Sequence, residues 1–126
     1  MFKQIGGRLV SASGVALPLS LGVEFNNVIY LSGALPLLNG KIAGSDIETQ
    51  TNVMFDNVVA LLAKANLDLR SVFKVNCWLV RKEDFTGFNS VFSTRLSEPY
   101  PARTTVICDL ALEGALIEAE FMASRG

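Results

Sequence analysis

Residues 45–65 have the sequence SDIETQTNVMFDNVVALLAKA, and this stretch decides the fold class. Its first residues, Ser45-Asp46-Ile47-Glu48, form a capping box, which is typical of the beginning of a helix. Side chains that suit a buried face then recur every three or four residues, the spacing of one helix face. They are Ile47, Thr51, Met54, Phe55, Val58, Leu61 and Leu62. The pattern predicts a helix over about residues 46–65 with a single apolar stripe that another layer must cover.

A strand and a second helix are predicted downstream of this helix. Residues 72–80, VFKVNCWLV, alternate with the period of two that is typical of a strand with one face in the core. The core side of that strand is expected to consist of Phe73, Val75, Cys77 and Leu79. A second amphipathic helix is marked by Phe85, Phe88, Phe92 and Leu96, and Pro99 and Pro101 end it.

The remaining predicted strands lie at the two ends of the chain. They are expected at residues 20–25 and 28–32, at about 103–109 and at about 116–122. Asn26-Asn27 is a two-residue hairpin turn, and Pro36 and Asn39-Gly40 mark loops. The order hairpin, helix, strand, helix, strand, strand predicts one α+β domain over residues 1–126. Its two layers are a mixed sheet and two helices on one face of that sheet.

No third layer is predicted for the other face of the sheet. The strands carry apolar residues on both faces, and the first 40 residues hold only Lys3, Arg8 and Glu24 as charges. Such a surface belongs either to a core or to a contact with another subunit. We therefore expect the open face to pack against copies of the chain, with a closed cyclic oligomer as the result.

Composition excludes several classes of function. The chain has 126 residues, 11 basic and 12 acidic side chains, a net charge of -1, no His and two Cys. Without His there is no Ser-His or Cys-His nucleophile pair and no usual zinc or iron site, so we predict no metal. The charge balance argues against nucleic acid as the main partner. Cys77 and Cys108 lie in apolar runs and are expected to be buried, reduced thiols.

Apolar residues make up 50% of the chain, and the mean hydropathy is +0.37. No apolar run approaches the roughly 20 residues that a membrane-spanning helix needs. The first ten residues lack the apolar segment of a secretory signal, so a cytoplasmic location is expected.

The last predicted strand carries two carboxylates on one face. Glu118 and Glu120 are two residues apart and therefore project away from the side of Ile117 and Phe121. Burying carboxylates is costly unless a cation or hydrogen-bond donors compensate them, and the preceding strand offers Arg103. Each charge alone is equally compatible with a solvated surface. Together, in an otherwise apolar C-terminal third, they favour a site.

At these residues the chain resembles a known family. The resemblance rests on Leu31-Ser32-Gly33, Asp46-Ile47-Glu48 with Thr51, Val75 to Val80 with Glu83-Asp84-Phe85, Phe88-Asn89 with Phe92, Pro101-Ala102-Arg103 and Ile117-Glu118. In this order and spacing, over about residues 18–123, they resemble the Rid family. The resemblance implies a chorismate mutase-like fold assembled as a homotrimer, with one cleft at each subunit boundary. It also implies cofactor-free hydrolysis of 2-imino or enamino acids, such as 2-aminoacrylate, to a 2-keto acid and ammonia.

The resemblance assigns Arg103 to the substrate carboxylate and Glu118 to the attacking water. A guanidinium binds a carboxylate through two parallel hydrogen bonds, and an iminium carbon is electrophilic enough that an oriented water and a base suffice. Ser32, the Gly33 N–H and Asn89 of a neighbouring subunit would line the cleft. Without the resemblance, Ser32-Gly33 would be interpreted as a strand-ending turn and Asn89 as a helix-surface amide.

Some positions depart from the family pattern. Leu19 follows Pro18 where family deaminases carry a Tyr whose hydroxyl reaches the ligand, and Thr104 and Thr105 replace small or sulfur-bearing residues. We therefore count Leu19 and Thr105 among the substrate-binding residues and expect Glu120 behind the site or at the interface. The leading function is an imine or enamine deaminase. The alternatives are a non-catalytic protein that binds or senses a 2-keto acid and, least compatible with the charge balance, an RNA-directed role.

Overall fold

Two helices cover one face of a six-stranded sheet in the computed structural model, which describes residues 1–126. The sheet contains β1 (Lys3–Val10), β2 (Ala16–Phe25), β3 (Val28–Leu31), β6 (Val72–Leu79), β7 (Ala102–Ile107) and β8 (Ile117–Ser124). Its order is β1-β2-β3-β8-β6-β7, and only β6 and β7 are parallel. β4 (Leu37–Leu38) and β5 (Lys41–Ile42) form a separate small hairpin. The predicted two-layer α+β architecture with a mixed sheet is confirmed.

The first helix, α1, spans Ile47–Ala63, close to the predicted range. Asp46 is its N-cap, because the Asp46 carboxylate accepts a hydrogen bond of 2.9 Å from the N–H of Thr49. The predicted capping box placed the N-cap at Ser45, which is wrong by one residue. Asp46 is the N-cap because its carboxylate reaches the free N–H groups of the first turn.

The second helix, α2, spans Phe85–Arg95 and supplies an aromatic cluster to the core. The ring of Phe55 in α1 lies edge-on to Phe92 and to Phe121, with centroids 4.9 and 5.6 Å apart, and Phe88 contacts Phe92 at 4.5 Å. Such edge-to-face pairs add to the energy of apolar burial. Phe85, which the sequence pattern groups with this apolar face, is 43% exposed at the beginning of the helix.

The core side of β6 differs from its prediction at one residue. Val75, Cys77 and Leu79 are buried as expected, but Phe73 is 46% exposed, and Val72 is buried in its place. A register shift between Val72 and Lys74 against β8 explains the difference. The extra residue of such a bulge shifts the alternation by one, so that residues before it point to the opposite face of the sheet from the one that the pattern predicts.

Two features of the N-terminal half were absent from the sequence prediction. β1 was missed because Gly6 and Gly7, both at positive φ (+78° and +77°), interrupt the alternation that marks a strand. The predicted loop around Asn39-Gly40 is the tight turn between β4 and β5, with φ of +53° and +78°. The Asn26-Asn27 turn between β2 and β3 is confirmed.

Gln50 is a buried polar residue that the apolar pattern of α1 did not identify. Its side-chain amide donates hydrogen bonds to the carbonyls of Gly44 (3.1 Å) and Gly114 (3.0 Å), and its oxygen accepts one from the N–H of Leu116 (2.7 Å). The side chain is fully buried. It therefore fixes the loop that leads into β8, the strand that carries the two predicted carboxylates.

The face of the sheet opposite the helices carries side chains that the chain itself does not cover. β8 buries Ile117, Ala119 and Phe121 against the helices, so Glu118 and Glu120 project from the other face, as predicted. No helix of the structure is both long enough and apolar enough to cross a membrane.

Candidate functional site

The largest concavity of the chain is a cleft of about 500 Å³, which we call the glutamate cleft. It opens beside the end of β3 and continues along α1. Four predicted site residues line it: Leu19, Ser32, Gly33 and Glu118. The structure therefore brings together four of the seven predicted site residues, although these four are separated by up to a hundred positions in the sequence.

The carboxyl group of Glu118 is half-buried in this cleft and has no hydrogen-bond donor within the chain. Burial raises the pKa of Glu118 above the ordinary value of 4.5, and the charge of Glu120 raises it further. Glu120 differs from Glu118 because it accepts a hydrogen bond of 2.9 Å from the side chain of Asn76. Glu118 is thus the carboxylate that remains available to bind a water or a substrate and to take up a proton.

Gly33 packs directly against this carboxylate. A pair of backbone hydrogen bonds between Ala34 and Ala119, of 2.7 and 3.2 Å, holds the two segments side by side. A Cβ atom at position 33 would lie 2.8 Å from Cδ of Glu118, so only glycine leaves room for the carboxylate. The N–H of Gly33 donates no hydrogen bond within the chain, in keeping with its predicted role as a donor to a ligand.

Ser32 is held in place by the neighbouring strand. Its N–H donates to the carbonyl of Leu21 (2.9 Å), and its hydroxyl donates to the carbonyl of Ser20 (2.6 Å). The hydroxyl proton is therefore engaged, and the oxygen of Ser32 is left to act as an acceptor at the cleft wall.

Arg103 lies in a second, smaller concavity of about 240 Å³, which we call the arginine pocket. Its guanidinium stacks over the rings of Phe88 and Phe92, at 4.8 and 5.2 Å from their centroids, and 5.8 Å from that of Phe85. It forms no ion pair or hydrogen bond within the chain. Stacking fixes the plane of the guanidinium and leaves its N–H donors free for an anion. Asn89 lines the same pocket.

Within one chain the structure does not bring Arg103 and Glu118 together. β6 lies between β7 and β8, so the strand that carries Arg103 does not neighbour the strand that carries Glu118, and within one chain Arg103 does not compensate that carboxylate as expected. Arg103 pairs with Val75 and faces the helices, whereas Glu118 pairs with Trp78 and faces the open side. Two strand spacings and three residues along the strands separate their Cα atoms by about 14 Å. A small acid cannot bridge that gap.

Thr105, Cys77 and Cys108 do not line the glutamate cleft. The hydroxyl of Thr105 is buried and has no hydrogen-bond partner within the chain. Cys77, which pairs with Thr105 across the strands, is buried, and burial raises the pKa of its thiol to about 12. Both cysteines are free; Cys77 is fully buried as expected, and Cys108 only partly. A thiol with so high a pKa is not a nucleophile at neutral pH.

The sequence did not identify the residues of α1 that line the glutamate cleft. Asn57 donates hydrogen bonds to the carbonyls of Leu35 (3.0 Å) and Leu37 (2.9 Å), and Leu61 and Lys64 follow it on the same wall. The apolar period of the helix indicated only which residues are buried, and no local pattern distinguishes a cleft wall from a solvated face.

No group of three or more Cys, Asp and Glu side chains lies close enough together to hold a metal ion.

This fold and these two pockets define the class of protein. The family model described as Endoribonuclease L-PSP matches residues 10–125. The chain belongs to that family, the Rid family, so the resemblance seen in the sequence is confirmed. The crystal structure of YyfA of Yersinia pestis, described as a Rid family protein of unknown function, superposes with a TM-score of 0.87 at 26% identity and covers 98% of this chain and 99% of its own.

Two curated relatives differ in the functions that their names state. AldR of Lactococcus lactis subsp. lactis, named as a proposed regulator, is 39% identical over 108 residues, which are 84% of this chain and 86% of AldR. The chloroplastic Reactive Intermediate Deaminase A of Arabidopsis thaliana is 31% identical over 109 residues, which are 85% of this chain and 58% of that protein. The family therefore includes proteins named for deamination, for regulation and for ribonuclease activity.

Proposed function

We propose that the protein is a cofactor-free hydrolase that converts small 2-imino or enamino acids of the 2-aminoacrylate type to 2-keto acids and ammonia. The proposed site is completed by two neighbouring copies of a homotrimer. One copy supplies Glu118, Gly33 and Ser32 from its glutamate cleft, and the next supplies Arg103 and Asn89 from its arginine pocket. We also propose a cytoplasmic location, where a free thiol such as Cys77 stays reduced.

The observation that carries this proposal is the division of the reactive groups between two pockets. The guanidinium of Arg103 lies over the ring of Phe88 but forms no ion pair or hydrogen bond within the chain. The carboxylate of Glu118 accepts no hydrogen bond within the chain. The two groups lie on opposite faces of one sheet, so a single ligand reaches both only if they come from different chains. A head-to-tail contact in a closed ring repeats the same combination at every boundary.

The proposed chemistry needs only these groups. The guanidinium of Arg103 binds the substrate carboxylate and orients the iminium carbon. Glu118 accepts a proton as water adds to that carbon, and the proton passes to the nitrogen of the tetrahedral carbinolamine. The hydroxyl group of the carbinolamine gives its proton to Glu118 as the C–N bond breaks, so that the 2-keto acid forms and ammonia leaves; the ammonia then takes up that proton as ammonium. An enamine such as 2-aminoacrylate enters this sequence as its protonated 2-imino tautomer. The Gly33 N–H is available to donate to the oxygen that develops negative charge.

The test measures the release of 2-keto acid and ammonia when the protein is added to a dehydratase that generates 2-aminoacrylate. We expect acceleration by the wild type, loss of binding and turnover in Arg103→Ala, and retained ligand binding with reduced turnover in Glu118→Gln. Arg70→Ala is the matched control, because Arg70 is exposed and pairs only with Asp68. Wild-type turnover in both pocket variants would refute the proposed roles.

A second candidate is a non-catalytic protein that binds a 2-keto acid in the same site. Leu19 favours it, because this side chain lines the glutamate cleft without offering a hydrogen-bonding group. The name of the Lactococcus relative points the same way. Saturable binding of pyruvate, together with no acceleration of 2-aminoacrylate hydrolysis, would favour this candidate over the enzyme. A ribonuclease role predicts steeply salt-dependent RNA binding, which a net charge of -1 does not favour.

A further inference from the structure

Arg103 is held differently from every other arginine of the chain. Four of the six arginines pair with a carboxylate, and these pairs are Arg70–Asp68, Arg81–Asp84, Arg95–Asp56 and Arg125–Glu24. A fifth, Arg8, donates to the backbone carbonyls of Ala16 and Leu17. The guanidinium of Arg103 has no such acceptor and lies over aromatic rings instead. The chain therefore holds this one cation without using an anion.

Three phenyl rings of α2 form the surface under Arg103, which we call the aromatic shelf. Phe85, Phe88 and Phe92 lie three and four residues apart, so they project from one face of the helix. Their ring centroids lie 5.8, 4.8 and 5.2 Å from the guanidinium carbon of Arg103. The centroids are 6.2 Å apart for Phe85 and Phe88, and 4.5 Å apart for Phe88 and Phe92. The shelf therefore covers one side of the guanidinium with adjoining aromatic rings.

The fold holds the shelf in place at both ends. Phe88 is fully buried and Phe92 is 6% exposed, so the core fixes these two rings. Asp84, directly before Phe85, is a buried carboxylate that accepts hydrogen bonds of 2.9 and 3.1 Å from the guanidinium of Arg81. This ion pair fixes the turn from which Phe85 projects. Phe85 itself is 43% exposed, so its ring can be changed without opening the core.

We infer that the aromatic shelf positions Arg103 for the substrate carboxylate, and that Phe85, at the exposed end of the shelf, is a positioning residue of the proposed site. This inference rests on the proposed function, in which Arg103 binds that carboxylate. A carboxylate of the chain would also hold the guanidinium, but it would occupy the N–H donors that the substrate needs. Aromatic rings attract the cation through its face and leave the donors in its plane free.

The size of the effect follows from the strength of one exposed ring contact. Such a cation–π contact corresponds to about a 2- to 5-fold preference for the stacked position. Without the ring of Phe85 the guanidinium of Arg103 leaves that position more often, and the apparent Kd for a carboxylate rises by up to the same factor. Because substrate and transition state lose this binding equally, KM should rise while kcat stays unchanged.

The experiment replaces Phe85 by Leu, Tyr and Trp. The Kd of pyruvate is measured by titration calorimetry, and kcat and KM are measured with the imine that an amino acid oxidase generates in place from alanine. Phe85→Leu, which removes the ring and keeps an apolar side chain, should raise Kd and KM about 2- to 5-fold. Phe85→Tyr should equal the wild type, and Phe85→Trp should equal it or bind more tightly, because indole is the best cation–π partner. The matched control is Phe73→Leu, since Phe73 is 46% exposed and has no cation over its ring.

A second pair of variants tests the buried part of the shelf. Phe88 and Phe55 are both fully buried, so Phe88→Leu and Phe55→Leu should lower the free energy of unfolding to a similar extent. The ring of Phe55 lies under Arg95, at 5.4 Å, and not under Arg103. Only Phe88→Leu should therefore raise the Kd of pyruvate, and by more than Phe85→Leu does, because its ring is the closest to the guanidinium. This pair decides the inference if Phe85→Leu changes the oligomer in light scattering.

The outcomes separate this inference from the proposed function. Unchanged Kd and KM in Phe85→Leu with the oligomer intact would overturn the inference and leave the deaminase standing, as would equal rises in Phe88→Leu and Phe55→Leu. A rise in Phe85→Trp as large as that in Phe85→Leu would also overturn it, because the shape of the side chain and not its ring would then matter. No hydrolysis by the wild type would refute the enzyme, and the pyruvate affinities of the variants would then decide the role of the shelf. No binding of pyruvate by the wild type would refute the role of Arg103 and the inference together.

Discussion

Mixing two impaired variants, Arg103→Ala and Glu118→Gln, should give more deaminase activity than either variant alone, because each variant keeps the group that the other lacks. In one chain these two groups face opposite sides of the sheet, with Cα atoms about 14 Å apart. The carboxylate and the imine carbon of the substrate are directly bonded, so both groups must lie within a few ångströms of the same ligand. Only a site shared between two copies satisfies that requirement.

The expected recovery follows from counting the combinations in a mixed ring. A cleft is competent when its arginine pocket comes from a Glu118→Gln chain and its glutamate cleft comes from an Arg103→Ala chain. Random assembly of an equimolar mixture makes about one quarter of the clefts competent, whatever the number of copies that close the ring. The two variants are unfolded together in urea, refolded as a mixture, and assayed for ammonia release from 2-aminoacrylate. The mixture should regain about a quarter of the wild-type rate.

A matched mixture controls for refolding. Arg103→Ala mixed with the double variant Arg103→Ala/Glu118→Gln contains no intact arginine pocket and should stay inactive. A wild-type rate in either variant alone, or no gain of the complementary mixture over its separate variants while refolded wild type regains its full rate, would refute the shared site. The oligomer of each mixture is measured by light scattering, because a mixture that stays monomeric would contradict the proposed assembly directly.

The remaining predictions concern the candidate base, the glycine beside it and the buried amide. Glu118 has to be ionised to take a proton, so kcat/KM should fall as the pH drops through its pKa. Because the charge of Glu120 raises that pKa, Glu120→Gln should move this limb to lower pH, and an unmoved limb in the pH–rate profile would assign it to another group. Gly33→Ala should lower kcat about tenfold or more with the fold retained in circular dichroism, because the added Cβ displaces the carboxylate; unchanged kcat would show that its position is not critical. Gln50→Ala should lower the free energy of unfolding, measured in urea, by about 3 kcal/mol, because it leaves the Leu116 N–H without an acceptor and creates a cavity. A loss well under about 1 kcal/mol would contradict this account.

The parts of the fold that local patterns could predict are those where one residue period holds without interruption. α1, α2 and β8 follow their period, so their positions and buried faces were predictable. β1 was not, because two glycines at positive φ break its alternation, and Phe73 was assigned to the wrong face because a bulge reverses the pattern there. The burial of Gln50 was not predicted, because it depends on hydrogen bonds to carbonyls up to 64 positions away. A local sequence pattern contains no information on such distant partners.

The candidate site was predictable as a set of residues but not as a geometry. Composition excluded imidazole chemistry and the usual zinc and iron sites, and the resemblance supplied Arg103, Glu118, Ser32 and Gly33. The strand order decides which of these meet, and it depends on the pairing of β6 with both β7 and β8. Consecutive strands usually pair, but β7 and β8 do not, so their order along the chain does not show that Arg103 and Glu118 lie apart.

On the proposed assembly, the substrate itself would set the strength of the base. In the single chain the pKa of Glu118 is raised by burial and by Glu120. An arginine brought close by the neighbouring copy would lower that pKa, since an opposite charge favours the carboxylate. The carboxylate of a bound substrate would cancel the charge of Arg103, but the iminium group beside Glu118 would then be the neighbouring cation. Its positive charge is lost as water adds, so the pKa of Glu118 would rise at the moment when the carboxylate takes the proton from water.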